Sequence, residues 1–284
     1  MDLGLKGVHV LVTGASGGIG LETARLFLGE HIGFGSPSSA HGAKVTAHYN
    51  TQSASLQPLL SEYGRERVQA VQADLGLESD VLRMFSFLSD KSSFGPVQVA
   101  IVNHGYWPPV DAPISKMSLE QWNSTLQSNL TSSFLVLREY LKELEKASEE
   151  VKLKAAVVLI GSTAGKYGEA GHADYAASKS AMMYGLTLSL KNEIVRIAPK
   201  GRVNCVAPGW VLTPMAEAAF KDPHIVYRSL ATTPLKKVAV PRDIANQVIL
   251  LASPNVSGHV TGQVVMVEGG MEGRLLNRPE DLKL

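Results

Sequence analysis

Thr13-Gly14-Ala15-Ser16-Gly17-Gly18-Ile19-Gly20 stands between the apolar run Val8 to Val12 and an amphipathic stretch, so it reads as the turn from a first strand into a first helix. Gly14 permits a sharp turn, Gly18 leaves room for backbone to approach a pyrophosphate, and Gly20 lets the helix pack closely on the strand. Exposed N–H groups and the helix dipole then favour phosphate charge. A glycine-rich turn alone is weak evidence, because any tight connection uses glycine. Set directly between a strand and a helix, it reads as a dinucleotide site.

The alternation continues along the chain. Short runs rich in Val and Ile, at Val8 to Val12, Lys44 to His48, Val68 to Ala73, Val97 to Val102, Ala155 to Ile160, Arg202 to Val206 and Gln263 to Val267, alternate with long amphipathic stretches. That is the pattern of a parallel sheet covered by helices, and seven strands imply an α/β fold with a doubly wound sheet. Ser118-Leu119-Glu120-Gln121 reads as a capping box opening a helix whose apolar face runs through Trp122, Leu126, Leu130, Phe134, Leu137 and Leu141. Pro241 suits the first turn of a helix carrying Ile244, Val248 and Leu251.

No repeat, low-complexity segment or long linker divides the 284 residues, so residues 1–284 are expected to form one domain. Two stretches break the rhythm. Residues 30–42, with Gly-Phe-Gly-Ser-Pro-Ser-Ser at their centre, exceed the roughly two to six residues such a connection needs and are expected to be a surface insertion. Residues 210–240 set a helix-like piece around Ala216 to Phe220 among prolines after the sixth strand, which favours a substrate-covering segment. The C-terminal tail, 271–284, is polar and runs past the last strand.

Bulk properties exclude several classes of function. The net charge is +1 with no basic cluster, so neither nucleic acid nor an anionic membrane surface is expected as a partner. Cys205, the one cysteine, sits in an apolar run and reads as a small hydrophobe; no intramolecular disulfide or Cys-based zinc site is possible, and no metal is expected. No apolar run reaches membrane-spanning length and no secretory signal pattern is seen at the N-terminus, so a cytoplasmic protein is expected.

Tyr175-Ala-Ala-Ser-Lys179 places a phenol and an ammonium on one helix face. A free phenol keeps its proton to about pH 10, and a fixed cation nearby pulls that value down, which suits a general acid or base. Alone, the spacing usually marks an ordinary surface Tyr and Lys.

Together these elements resemble the classical short-chain dehydrogenase/reductase family. The resemblance covers about residues 5 to 270 and rests on Thr13 to Gly20, Asp74, Asn103-His104-Gly105, Asn129, Ser162, Tyr175 with Lys179, and Pro208-Gly209 with Thr213, in the family's order and spacing. It implies a Rossmann-type sheet of seven parallel strands in the order 3-2-1-4-5-6-7, with helices on both faces. It also implies an oxidoreductase that moves a hydride between a nicotinamide and a ketone or secondary alcohol, in its most concrete form a carbonyl reductase.

The family's roles carry over by position. Tyr175 would protonate a carbonyl oxygen or take an alcohol proton; Lys179 would lower the Tyr175 pKa and bind the nicotinamide ribose; Ser162 would hydrogen-bond the substrate oxygen; Asn129 would hold a water in a proton relay to Lys179. Cofactor contacts are implied for Thr13, Gly14, Ser16, Gly17, Gly18, Ile19, Gly20, Tyr49, Asn50, Thr51, Asp74, Leu75, Asn103, Gly105, Tyr175, Lys179, Pro208, Gly209, Val211 and Thr213. Substrate contacts are implied for Ser162, Tyr167, Tyr175 and Trp210, with Trp107 to Pro109 and Lys166 to His172 lining the pocket. Family members commonly form tetramers, so a homo-oligomer, tetramer or dimer, is expected.

Two departures stand out. His104 occupies a position where the family usually has Ala, and reads as a tolerated variation or a substrate contact. At the end of the second strand Tyr49-Asn50-Thr51 replaces the Asp of NAD enzymes, so no carboxylate repels a 2′-phosphate, and NADP(H) is favoured over NAD(H). The arginine of a strong NADP site is also missing there, leaving neutral Asn50, Thr51, Gln52 or Ser53 to bind a phosphate. Two further readings remain open at this stage: a cofactor-binding scaffold or regulator without turnover, and an epimerase or dehydratase on the same site.

Overall fold

The computed structural model describes residues 2–29, 42–90, 92–217 and 219–273. The expected insertion at 30–42 therefore lies, except for Gly42, outside the described residues, as does the tail beyond residue 273.

Strand β1 (His9–Val12) leads into helix α1 (Gly18–Leu28), followed by β2 (Lys44–Tyr49), α2 (Gln57–Tyr63), β3 (Val68–Gln72) and α3 (Glu78–Asp90). The second half begins with β4 (Val99–Val102), then α4 (Leu119–Leu126) and α5 (Ser132–Lys146), which are joined by a π-helical turn at Gln127–Thr131. A short α6 (Glu149–Lys152) precedes β5 (Ala156–Ile160), α7 (Thr163–Tyr167), α8 (Ala173–Ser180), α9 (Thr187–Ile197) and β6 (Arg202–Pro208). Helices α10 (Pro214–Glu217), α11 (Pro223–Leu230) and α12 (Pro241–Ala252) come before β7 (Val264–Val267).

All strand pairs are parallel, and the order is β3-β2-β1-β4-β5-β6-β7. The order reverses beside β1, so the crevice past the C-terminal ends of β1 and β4 is where ligands bind in such sheets.

Alternation along the strands divides the core between the two faces. Val10, Val12, Val158 and Ile160 pack with Phe27, Val45, Val248 and Ile249, on the side of α1 and α12. Leu11, Val157 and Leu159 pack with Phe85, Tyr140, Ile194 and Cys205, on the side of α3, α5 and α9. Burial pushes the Cys205 thiol up to about 12, which keeps it an inert core group. The Arg202 guanidinium donates to the carbonyls of Leu251 and Ala252, the last residues of α12, and so supplies donors that the helix end lacks.

Two sequence expectations shift. In α4 and α5 the inward row is Thr125, Asn129, Ser133, Val136 and Tyr140, whereas Phe134 is 46% exposed. The buried row is polar near the site, and of the expected stripe Leu137 is buried and Leu130 and Leu141 pack against the core while Phe134 turns outward. Between residues 210 and 240 the helical content runs beyond the expected Ala216 to Phe220, because Asp222 accepts from His224 N–H at 2.8 Å and Pro223 sits in the first turn, starting α11.

Candidate active site

The glycine-rich turn is rigid by construction. Gly14 has φ +61°, in the left-handed region, and a Cβ on Gly20 would run into the Gly14 carbonyl and lie 2.6 Å from Asn103 Nδ2. Asn103, just past β4, donates Nδ2 to the carbonyls of Thr13 (2.9 Å) and Gly14 (3.1 Å). Its amide is therefore committed to shaping the turn. Gly17 caps α1 without a side-chain hydrogen bond, which leaves the N–H end of an eleven-residue helix without a capping side chain, as a pyrophosphate requires. A Cβ on Gly18 would come 3.0 Å from Thr213 Cγ2, so the segment after β6 lies over this turn. The chain's residues thus fit a dinucleotide.

Two histidines brace the same turn. His48, at the inner end of β2, accepts from Gly14 N–H at Nδ1 (3.0 Å) and donates Nε2–H to the Ala73 carbonyl (3.0 Å). Burial lowers its pKa to about 4. His104 places Nδ1 2.8 Å from Thr13 Oγ1 and Nε2 2.8 Å from Ser132 Oγ, while Ser132 Oγ donates to the Ser128 carbonyl at 2.7 Å. One chain satisfies every group: Thr13 donates to Nδ1, and Nε2–H donates to Ser132, which donates to Ser128. Some of the residue's surface remains exposed, but both ring nitrogens are engaged; desolvation first, then the nearby His48 and Lys179, hold the imidazole well below its usual pKa. His104 is thus a bridge between the turn and the π-helical segment, and neither nitrogen is left for a substrate. Sequence reading missed His48 altogether; a polar residue in a buried strand was the available clue.

Lys179 is 3% exposed, donates to the Ile160 carbonyl at 2.9 Å, and lies 5.7 Å from the centroid of the Tyr175 ring. Burial lowers its pKa to about 8. A Cβ on Gly105 would stand 3.4 Å from Lys179 Nζ and 3.6 Å from Asn129 Oδ1, so this position faces both the ammonium and the Asn129 amide. Asn129 is fully buried; Oδ1 accepts from Tyr106 N–H (2.6 Å), and Nδ2 donates to the Tyr106 carbonyl (2.9 Å) and to Ser178 Oγ (3.2 Å). Ser178 in turn donates to the Tyr175 carbonyl at 2.7 Å. With the amide spent, a water held by Asn129 would use its main-chain carbonyl, which already accepts from Ser133 Oγ at 2.6 Å and retains a second lone pair. Ser162 caps α7, its Oγ accepting from Ala164 N–H at 3.1 Å, so the hydroxyl hydrogen is left to donate.

Around this centre, Trp107 stands edge-on to Tyr175 (centroids 4.7 Å apart) and tilts over His172 (4.0 Å), whose Nε2 is 2.8 Å from Asp111 Oδ1. Tyr167 donates its hydroxyl to the Met271 carbonyl at 2.7 Å, which ties α7 to the chain beyond β7. Trp210 packs edge-on against Phe220, and Val211 forms a bridge with Ala239 that ties together the two ends of residues 210–240. Just past β3, Asp74 Oδ1 accepts from Gly76 N–H at 2.9 Å, and the Leu75 side chain is buried in the core. Tyr49 is partly buried against the core, whereas Asn50 and Thr51 are exposed. Pro208 ends β6, and a Cβ on Gly209 would meet Glu268.

A family profile described as enoyl-(acyl carrier protein) reductase matches residues 14–272. The chain belongs to the classical short-chain dehydrogenase/reductase family. It is an oxidoreductase of that family, and among its relatives is a 3-oxoacyl-[acyl-carrier-protein] reductase of Vibrio cholerae, 30% identical, covering 95% of this chain and 99% of the relative. A 3-oxoacyl-[acyl-carrier-protein] reductase of Synechocystis is 31% identical over 92% of this chain and 95% of its own. Among solved structures, a putative gluconate dehydrogenase from Agrobacterium tumefaciens superposes with a TM-score of 0.81 at 25% identity, covering 95% of this chain and 98% of the other.

Proposed function

We propose that this short-chain dehydrogenase/reductase reduces a ketone, with NADP(H) as its cofactor, or oxidises the corresponding secondary alcohol. The observation that carries this reading is the buried Lys179 ammonium 5.7 Å from the Tyr175 ring, on the crevice side of a glycine turn built for a pyrophosphate. When bound, the dinucleotide supplies or accepts the hydride. Tyr175 gives its phenolic proton to the carbonyl oxygen, and the Lys179 charge stabilises the phenolate left behind. Ser162, with its hydrogen free of the α7 cap, donates to the same oxygen as negative charge builds there. Asn129 holds the Gly105–Tyr106 backbone beside Lys179 and offers its carbonyl to a water that returns the proton.

NADP(H) over NAD(H) is supported by the neutral Tyr49-Asn50-Thr51 at the end of β2, with no carboxylate to repel a 2′-phosphate. The relatives named 3-oxoacyl reductases point to a β-keto acyl substrate, and the profile described as an enoyl reductase favours, as a second reading, reduction of the adjacent double bond. Trp107, Tyr167 and Trp210 suit an apolar portion of either. A homo-oligomer fits the exposed Phe134 on α5 and the exposed Leu188 and Val195 on α9, and light scattering reads its state.

The test is a panel of β-keto esters and thioesters, simple ketones, enoyl thioesters and polyols, assayed with NADPH and NADH in parallel. Carbonyl-dependent NADPH oxidation, abolished in Tyr175→Phe with cofactor binding kept, is the expected result. Wild-type inactivity across the panel would instead favour a binding scaffold.

A further inference from the structure

His48 is joined to the glycine turn twice: its Nδ1 accepts from Gly14 N–H at 3.0 Å and its own carbonyl accepts from Ala15 N–H at 2.7 Å. On its other side, Nε2 meets the carbonyl of Ala73, the residue before Asp74. A backbone N–H can only donate and a carbonyl can only accept, so the ring must carry its hydrogen on Nε2 and keep a lone pair on Nδ1. Only the neutral imidazole satisfies both, and burial at 2% exposure keeps it neutral.

We propose that His48 is a positioning residue for the dinucleotide, fixing the pyrophosphate turn and the adenine-side Ala73–Asp74 segment at one separation before the cofactor arrives. The inference rests on the dinucleotide reading above. By committing the Gly14 and Ala15 N–H groups, His48 leaves the phosphate to the head of α1, at Gly18 to Gly20. A site already ordered spends none of its binding energy on ordering itself. Replacing His48 by an apolar residue would leave the Gly14 N–H and the Ala73 carbonyl unmatched and loosen both edges of the cleft.

The test titrates NADPH by fluorescence into wild type, His48→Leu and His48→Gln, whose amide offers one acceptor and one donor. His48→Leu is expected to raise Kd and KM for NADPH about tenfold, with kcat at saturating NADPH changing less than about twofold. His48→Gln is expected to recover most of the affinity. Hydrogen exchange on the cofactor-free wild type supplies a second measurement that needs no variant: the Gly14 and Ala15 amides should be protected. Unprotected amides, or equal NADPH affinity in wild type and His48→Leu, would overturn the inference alone. A wild type that binds neither NADPH nor NADH would overturn the dinucleotide reading and this inference with it.

Discussion

Lys179 donates its ammonium to the carbonyl oxygen of Ile160, at the end of β5 and two residues before Ser162. Burial has brought its pKa to about 8, so in the free enzyme the cation that steadies a Tyr175 phenolate is present below that pH and lost above it. kcat/KM for carbonyl reduction is expected to fall above about pH 8, and Lys179→Met to lower activity at least ~100-fold and abolish that limb. Stability should move the other way. The unfolded chain binds the extra proton between about pH 8 and 10.5, so this group's contribution rises with pH through that window and its full cost is present below it. Lys179→Met should therefore raise Tm at pH 7 by about 3 °C even though the Ile160 carbonyl loses its donor. A lowered Tm would count against a costly buried cation.

Trp107 joins two aromatic neighbours, standing edge-on to the Tyr175 ring and tilted over His172. Aromatic pairs of this geometry contribute about 0.5–1.5 kcal/mol each. Trp107→Ala is expected to lower kcat/KM for carbonyl substrates about tenfold, mainly through KM, and to leave NADPH affinity unchanged. Steady-state kinetics with each substrate varied separately will show whether the loss falls on the carbonyl side.

Much of this was legible in the sequence because short parallel strands write themselves as apolar runs and the glycine turn has a steric logic that needs no alignment. The strand order and the convergence of Gly105, Asn129 and Lys179 were implied by the family resemblance, and the structure shows both. What escaped were residues whose role depends on long-range geometry. His48 looks like one more strand residue until Gly14 and Ala73 are placed on either side of it. Thr125 and Ser133, in one buried row with Asn129, were passed over because hydrophobic periodicity finds faces that pack, and this face is polar.

His104 connects Thr13 to Ser132 with both ring nitrogens. Its removal leaves Thr13 Oγ1 with the Ile101 carbonyl and Ser132 with Ser128, so the loss is partial. His104→Ala should cost about 1–2 kcal/mol in urea unfolding. Its ranking of substrates across a carbonyl panel should match that of the wild type. A reordered ranking would sink the bridging role and return His104 to the substrate pocket.

His9, fully buried on β1, sets its ring between the Gly95 carbonyl (Nδ1, 2.7 Å) and Thr46 Oγ1 (Nε2, 2.8 Å), and Gln69 donates to that same Thr46 oxygen. Every group is satisfied when donors run Gln69 to Thr46 to Nε2 and Nδ1–H donates to Gly95, and burial favours this neutral ring. Burial, assisted by the nearby Lys44 charge, lowers its pKa to about 4, as burial does for His48. For a base with a depressed folded pKa, the unfolded chain binds more protons between about pH 4 and 6.5. Stability is therefore full above about pH 6.5 and drains as pH falls toward 4, by about 2 kcal/mol per histidine between pH 7 and pH 5. His104 adds in the same direction. His9→Gln, which cannot titrate, should lose about 2 kcal/mol less than wild type over that interval in urea melts at the two pH values. Parallel losses in the two proteins would mean that His9 is not held neutral by the fold.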